Sequence, residues 1–422
     1  MTNGLRSRVD PSQKMSYIPI STFRALFYTD SDQQPFPDVL RWGTAPPAMK
    51  RLLLFVFLLP FTLSVQAQHG HSHPGGRVIQ FPDTADHLSL TCDFHMHTVF
   101  SDGSVWPDIR VQEALRDGID CIAMTEHLEY QPRSADIPHP DRNRAFDLAT
   151  RYAEGTDLIV IPGSEITRSL PYGHANSIFL QDANLLLQED AEDAYAEAAA
   201  QGGFTFINHP NWTSQRKDGV ARLQPEQLAL IDRGQIHGIE VVNDLTYSDE
   251  ALELAIAHNL TIIGTSDIHG LVDWQYEIAQ GGHRPVTIVF AEERTSEAIH
   301  EALRAGRTVA YYLDSIIGLE EHMMPLLSAS LHLEVHGYQG DSSIARVTIS
   351  NSSDAWYTLR NASAFRFHDR GNLLDVPPHH SVEFLVKTGE RLESIDLSFE
   401  VLNAVTAPAT HPVVTLSGSV TP

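Results

Sequence analysis

At 422 residues, with 42% hydrophobic and 20% charged residues, the chain is long enough for two or three domains with sizeable cores. Its 54 Asp and Glu against 29 Lys and Arg leave a formal charge of −25, a field that repels DNA, RNA and acidic membranes and argues against a nucleic-acid partner. An anionic substrate would need that field reversed locally, by bound cations or a few placed arginines. The 22 histidines beside only 2 cysteines indicate where cations could sit.

Residues 1–48 are polar and proline-bearing, and the character of the chain changes at Met49. Met49, Lys50 and Arg51 precede the apolar run LLLFVFLLPFTLSV and the small-residue pattern Val65-Gln66-Ala67, which together read as a secretory signal peptide over 49–67. Residues 1–48 are then an upstream over-extension of the true start at Met49. The apolar run is short for a membrane span and Pro60 interrupts it, so the expected product is exported, periplasmic or secreted, without a membrane anchor after cleavage. Residues 68–87 follow as a flexible His/Gly-rich segment, with His69, His71 and His73 near its start.

Between residues 88 and 321 short β-branched runs alternate with helical patterns, the signature of βα units around a parallel sheet. The predicted strands are residues 90–96, 120–125, 158–162, 175–180, 204–208, 238–242, 261–265, 285–290 and 308–312. Val111, Ala114 and Leu115 mark one amphipathic helix ending before Gly118, and Ile299, Ala302 and Leu303 another ending before Gly306. So many units in one domain predict a barrel. Cys92 and Cys121 fall in two of its strands and read as buried thiols, because neighbouring parallel strands rarely offer disulfide geometry. After a linker near residues 322–327, the pattern turns to helix-free alternation over 325–422, which predicts a small antiparallel β-sandwich.

The chemistry gathers at strand ends. In DFHMHTVFSDG, His95 and His97 stand two apart, so both imidazoles leave one face of a strand and can hold one metal. Thr125-Glu126-His127 ends the next strand and Pro162-Gly163-Ser164-Glu165 the third. His174 opens the fourth, Asn208-His209-Pro210 closes the fifth, and Ser266-Asp267-Ile268-His269-Gly270 supplies a second i, i+2 pair. In a barrel the C-terminal strand ends meet on one rim. His95, His97, Asp102, His127, Glu165, His174, His209, Asp267 and His269 exceed what one ion coordinates, so at least two are implied. Mixed imidazole and carboxylate donors suit Mn²⁺, Zn²⁺ or Fe²⁺, and the lack of cysteine there argues against a structural zinc knot. Glu165 is the natural bridge, and a hydroxide shared between such ions would be a nucleophile at neutral pH, since a bound water's pKa can fall from ~15.7 to about 7.

DFHMHTVFSDG, MTEH, PGSE, the NHP of residues 208–210 and SDIHG occur in the motif order of the PHP (polymerase and histidinol phosphatase) superfamily, which the chain resembles over roughly residues 88–312. The resemblance implies a distorted (β/α)7 barrel with two or three metals at its mouth. It would place one ion on His95, His97, Glu165 and Asp267, a second on Glu165, His174 and His209, and a third on Asp102, His127 and His269. Glu126 departs from the Asp found in many members. The leader, the loop EYQPRSADIPHPDRNRAFDLA, the ending EALRAGRTVAYY and the sandwich look like the exported phosphodiesterases of the Sb-PDE type, related to the CehA/McbA group.

That resemblance implies hydrolysis of a small anionic phosphodiester to a phosphomonoester and an alcohol by a metal-bridging hydroxide. Histidinol-phosphatase-type monoester hydrolysis and carboxyl or carbamate ester hydrolysis are the enzymatic alternatives, and a periplasmic metal- or ligand-binding protein is the non-enzymatic one. His269 or His174 would protonate the leaving group if free of metal, with Asp267 beside it. Arg168, Arg133 and Arg144 are candidates for gripping phosphate, and Trp212 for walling an apolar leaving-group pocket.

Overall fold

The structure, a computed structural model, describes residues 78–420. The leader read at 49–67, the extension before it and residues 68–77 lie outside the described residues. Residues 78–87, expected to continue a flexible segment, are packed instead. Ile79 and Phe81 are buried, the Ile79 N–H donates to the Asp117 carbonyl at 3.0 Å, and Phe81 meets Tyr311 edge to face with ring centres 4.9 Å apart. Two apolar side chains anchor the strap, because burying each is worth about 1.5–3 kcal/mol.

Runs of Val, Ile, Thr and Phe form β1 (Leu88–Asp93), β2 (Cys121–Met124), β3 (Ile159–Thr167), β4 (His174–Ile178), β5 (Phe204–Ile207), β6 (Gly238–Asn243), β7 (Thr246–Tyr247), β8 (Thr261–Thr265), β9 (Val286–Ala291), β10 (Thr308–Tyr312) and β11 (Ser315–Gly318). β2, β5, β6, β8, β9 and β10 are buried from end to end, as strands covered on both faces are. Helices α1 (Pro107–Asp117), α2 (Arg144–Ala153), α3 (Ala191–Ala200), α4 (Pro225–Asp232), α5 (Asp249–His258), α6 (Val272–Gln275), α7 (Ser296–Arg304) and α8 (Glu320–Ser330) connect and flank them. Pro107 opens α1, whose N–H it does not need, and Gly118 closes it at φ 72°. Val111 and Ala114 are buried as expected, whereas Leu115 faces outward.

The strands make one curled sheet in the order β11-β10-β9-β1-β2-β3-β4-β5-β6, with β7 and β8 both pairing with β6. A parallel series was expected, but the ladder is mixed. β1-β2-β3 and β5-β6-β8 are parallel, while β4 runs antiparallel to both its neighbours, as do β9 and β10. The short links after β3 and β10 leave no room for a crossover helix, so those chains must turn straight back.

Where β8 meets β9 and β10, hydroxyls replace a backbone ladder. The Gly264 N–H donates to Thr287 Oγ1 at 3.0 Å, the Thr287 hydroxyl donates back to the Gly264 carbonyl at 2.8 Å, and the Thr308 hydroxyl to the Ile262 carbonyl at 2.7 Å. Only glycine allows this approach, since a Cβ at 264 would stand 2.7 Å from the Ala310 Cβ. At the rim the segments after β1 and β8 pair directly through Met96 and Ile268, with His97 N–H on the Ile268 carbonyl at 3.0 Å and Asp267 N–H on the His95 carbonyl at 2.9 Å. Fully buried Arg110 clamps this seam, donating to the His97 and Ile268 carbonyls at 3.0 and 3.1 Å and pairing with Glu113 at 2.6 Å. A buried guanidinium persists only when so paired.

The C-terminal part is a sandwich of two antiparallel sheets. One contains β12 (Leu331–Tyr338), β13 (Ile344–Asn351), β15 (Arg366–Phe367) and β17 (Ser381–Lys387). The other contains β14 (Tyr357–Asn361), β16 (Leu373–Val376), β18 (Ser394–Val401) and β20 (Val413–Ser419). β12 and β18 alternate buried and exposed, the pattern of one inward face. β15 and β16 are too short to stand out in the sequence. The expected linker is α8, whose Met323, Leu326 and Leu327 are buried although Pro325 lies inside it. β19 (Ala404–Val405) leaves the sandwich to pair in parallel with β11, so the two parts share a sheet edge. Cys92 and Cys121 lie in register on β1 and β2, free and buried, and burial pushes the Cys92 thiol well up.

Candidate metal centre

All nine residues read as ligands meet at the rim. His95 and His97, fully buried, turn their Nε2 atoms to within 3.1 Å of each other, and Asp267 Oδ1 lies 3.1 and 3.2 Å from the two. Glu165 stands at the centre. Its Oε1 faces His174 Nδ1 at 2.7 Å and His209 Nε2 at 3.7 Å; its Oε2 faces His127 Nδ1 at 2.7 Å, His97 Nε2 at 3.4 Å and His95 Nε2 at 3.7 Å. Further out, Asp102 lies 3.1 Å from His269 Nε2 and 3.4 Å from His127 Nε2. Among the described residues, three overlapping groups bring their donor atoms together: His95, His97 and Asp267; His127, Glu165 and His174; and His97, Asp102, His127 and His269.

This donor set fits divalent cations on two observations. Glu165 Oε2 and Asp102 Oδ1 are buried and crowded by imidazole nitrogens, yet none of these contacts has hydrogen-bond geometry, although buried carboxylate oxygens are ordinarily satisfied. Protons also resolve the crowding only awkwardly. Burial opposes charging His127, yet Glu165 and Asp102 push it up to about 10, whereas burial and then His269 and His127 drive His97 down to about 3. Burial alone would raise the Glu165 carboxyl, but His127 and its other imidazole neighbours hold it well below the usual range. Cations can replace the protons the carboxylates now draw onto the imidazoles. His209 and Asp267 also adopt left-handed backbone, φ 27° and 48°, a conformation that costs a non-glycine residue free energy.

Buried partners orient the ligands, and of these the sequence singled out Glu126 alone. Glu240 on β6 accepts from His95 Nδ1 at 2.8 Å. Ser101 Oγ lies 3.2 Å from His97 Nδ1 and donates to Glu126 at 2.5 Å, and Glu126 also accepts the Thr98 N–H and hydroxyl. Glu126, where the sequence departs from the family pattern, thus holds the loop that carries His97. No spacing rule reveals Glu240, which looks like any acidic residue inside an apolar strand.

The centre floors a cavity of about 790 Å³ whose walls include Glu129, Tyr130, Trp212, Asn243, Asp244 and Gln275. The Trp212 ring sits 5.1 Å from His209 and 5.4 Å from His174, and Tyr130 sits 5.6 Å from His127. The arginines expected to grip phosphate are not among the lining residues. Arg168 pairs with Glu129 at 2.6 Å and donates to the Gln188 and Glu189 carbonyls. Arg133 donates to the Asp102 carbonyl at 3.0 Å. Arg144 opens α2 and lines a separate groove with Trp106 and Tyr152. Each is drawn to nearer acceptors, or to an outer helix face, that the sequence could not rank.

A barrel whose rim assembles this donor set defines a metal-dependent hydrolase. The chain is 39% identical to a two-domain protein of Bacteroides vulgatus described as containing a predicted PHP-like metal-dependent phosphoesterase. The match covers 83% of this chain and 99% of that one, with a TM-score of 0.75. The chain therefore belongs to the PHP-like metal-dependent phosphoesterase family. Residues 331–417 match the DUF5001 family, described as an Ig-like domain. Two more distant structures are an amidohydrolase of Chromobacterium violaceum (16% identity, 42% of this chain, 87% of that one, TM-score 0.32) and PsfC of Pseudomonas syringae (16%, 57%, 96%, 0.38). No curated protein matches the chain.

Proposed function

We propose that the protein is an exported phosphodiesterase of the Sb-PDE kind, cleaving a small phosphodiester to a phosphomonoester and an alcohol. The observation that carries this reading is a cavity floored by the donor cluster and lined by no lysine or arginine. A phosphomonoester dianion would bring an extra charge to walls that offer acidic Asp244, a Glu129 already paired with Arg168, and no lysine or arginine, whereas a diester monoanion brings one charge fewer. The cavity is also far larger than a phosphate, and Trp212 and Tyr130 offer faces for two ester substituents. Export rests on the leader read at 49–67.

His95, His97, Glu165 and Asp267 would hold one ion, and Glu165, His174 and His209 a second. Asp102, His127 and His269 form an outer group that would hold a third. Such ions supply Lewis acidity toward phosphoryl oxygens and an activated water at neutral pH. The protein's own part is to hold these donors at fixed distances, exclude water along the aromatic walls and orient the ester. When the outer group holds no ion, His269 or His174 would protonate the leaving alcohol, since both line the cavity. His269 Nδ1 faces the Asp267 carbonyl at 2.8 Å and its Nε2 lies 3.1 Å from Asp102, whereas His174 engages Glu165 through Nδ1 at 2.7 Å.

The test compares bis(p-nitrophenyl) phosphate, p-nitrophenyl phosphate and p-nitrophenyl acetate with the Mn²⁺-loaded protein. Diester turnover well above the other two is expected. Preference for the monoester or the carboxylate would replace this reading with the corresponding alternative.

A further inference from the structure

We infer that Glu240 is a positioning residue for the metal centre, one carboxylate that sets the ring of His95 and the backbone of His209 together. The inference rests on the metal-dependent reading above and extends it to a residue that touches neither cavity nor substrate.

Glu240 is buried in the middle of β6 with both oxygens fully used. Oε1 accepts from His95 Nδ1 at 2.8 Å and from the Thr265 hydroxyl at 2.5 Å; Oε2 accepts from the His209 N–H at 2.6 Å and from Asn243 Nδ2 at 2.9 Å. Four donors from four chain segments meet one side chain that can only accept. Two consequences follow for the ligands. The Nδ1 proton of His95 is held on the Glu240 side, so its Nε2 is the nitrogen turned toward Asp267 Oδ1 and His97 Nε2, each 3.1 Å away, and left for a cation. His209, in left-handed backbone at φ 27°, is held there by its N–H on Oε2, which sets the imidazole that approaches Glu165 and packs at 5.1 Å on His174. Asn243 extends the same network to Asp267 Oδ2 at 3.4 Å.

The pattern needs a carboxylate. An amide at 240 would turn an NH₂ toward either the His95 and Thr265 donors or the His209 and Asn243 donors. One ligand would lose its anchor, whichever way the amide lay. Partners of this kind commonly change metal affinity by about 10–100-fold.

The experiment titrates metal-free wild type, Glu240→Gln and Thr265→Val with Mn²⁺, reading free Mn²⁺ by electron paramagnetic resonance, and melts each protein with and without the ion. Glu240→Gln should bind Mn²⁺ about 10–100-fold more weakly and show a smaller Mn²⁺-induced rise in Tm. Its metal-free Tm should fall as well, because a buried amide donor then faces other donors, so the deciding quantity is the Mn²⁺ affinity of the folded variant. Thr265→Val, which removes one donor at nearly constant volume, should show a smaller loss in the same direction. Wild-type affinity in a folded Glu240→Gln overturns the inference, as does a Glu240→Gln that melts lower metal-free but binds Mn²⁺ normally. Should Glu240→Gln fail to fold, wild-type affinity in Thr265→Val overturns it. A wild type that binds neither Mn²⁺ nor Zn²⁺ defeats the metal reading itself, a result distinguishable from either.

Discussion

The rim and the sandwich are made by one chain under opposite rules. In the sandwich, Val347, Tyr357, Leu359, Phe384, Leu397 and Phe399 are buried on facing sheets, and stability comes from apolar area removed from water. At the rim, imidazoles and carboxylates are packed together with two carboxylate oxygens unsatisfied, an arrangement that costs free energy until cations enter. Arg110 and the Met96–Ile268 pairing hold the rim in that shape. The difference teaches that the barrel's framework bears the cost of a site, while the sandwich carries no comparable cluster among the described residues.

The contrast is broken most directly at its centre. Glu165→Gln keeps the volume but removes the charge shared by five imidazole neighbours, and diester hydrolysis should fall by at least about 1,000-fold, the loss expected when several kcal/mol of charge stabilisation disappears. Initial rates on bis(p-nitrophenyl) phosphate measure this, and a fall of less than tenfold would mean that the rim is not where the reaction occurs.

Phe399→Ala tests the other region. It should cost about 3–5 kcal/mol in urea unfolding while leaving the Mn²⁺ affinity of the folded protein unchanged. A matching drop in affinity would show that β19 on the β11 edge couples the two parts.

The smallest effect concerns a histidine away from the rim. His237 precedes β6, accepts the Thr205 N–H on Nδ1 at 3.1 Å and faces the Gly234 carbonyl with Nε2 at 2.9 Å. Burial, then Arg304, lowers it to about 4. Because the folded value lies below the ordinary 6.5, the unfolded chain binds the extra proton first. The stability this histidine contributes is full above about pH 6.5 and is lost as pH falls toward 4. The effect is on the order of 1–2 kcal/mol after allowance for its partial exposure. Melting of metal-free protein between pH 4 and 7 should show a shallower acid limb for His237→Gln than for wild type, and superimposable limbs would refute the assignment.

Much of the rim was legible because its signal is local. His95 and His97, or Asp267 and His269, are pairs whose i, i+2 spacing on extended chain already puts two side chains on one face. Strand ends were legible to within a few residues from β-branched runs bounded by Gly, Asn and Pro. The arginines lie outside the cavity lining because a guanidinium is drawn to whatever acceptors the fold supplies, and for Arg168 these are Glu129 and two carbonyls after β4. α8 was misread as a linker because Pro325 reads as a break, although Met323, Leu326 and Leu327 bury one face of the helix.

By itself the sequence determined which residue types could bind cations, that they sit at strand ends and that a β-only part follows, because spacing and composition act over a few residues. Only the tertiary structure decided that β1 and β8 meet at the rim and that Glu240 serves two ligands at once. It alone decided that no lysine or arginine lines the cavity. Those facts depend on side chains far apart in the chain, such as Arg110 with Ile268 and Glu240 with His95, whose meeting is set by how the sheet curls.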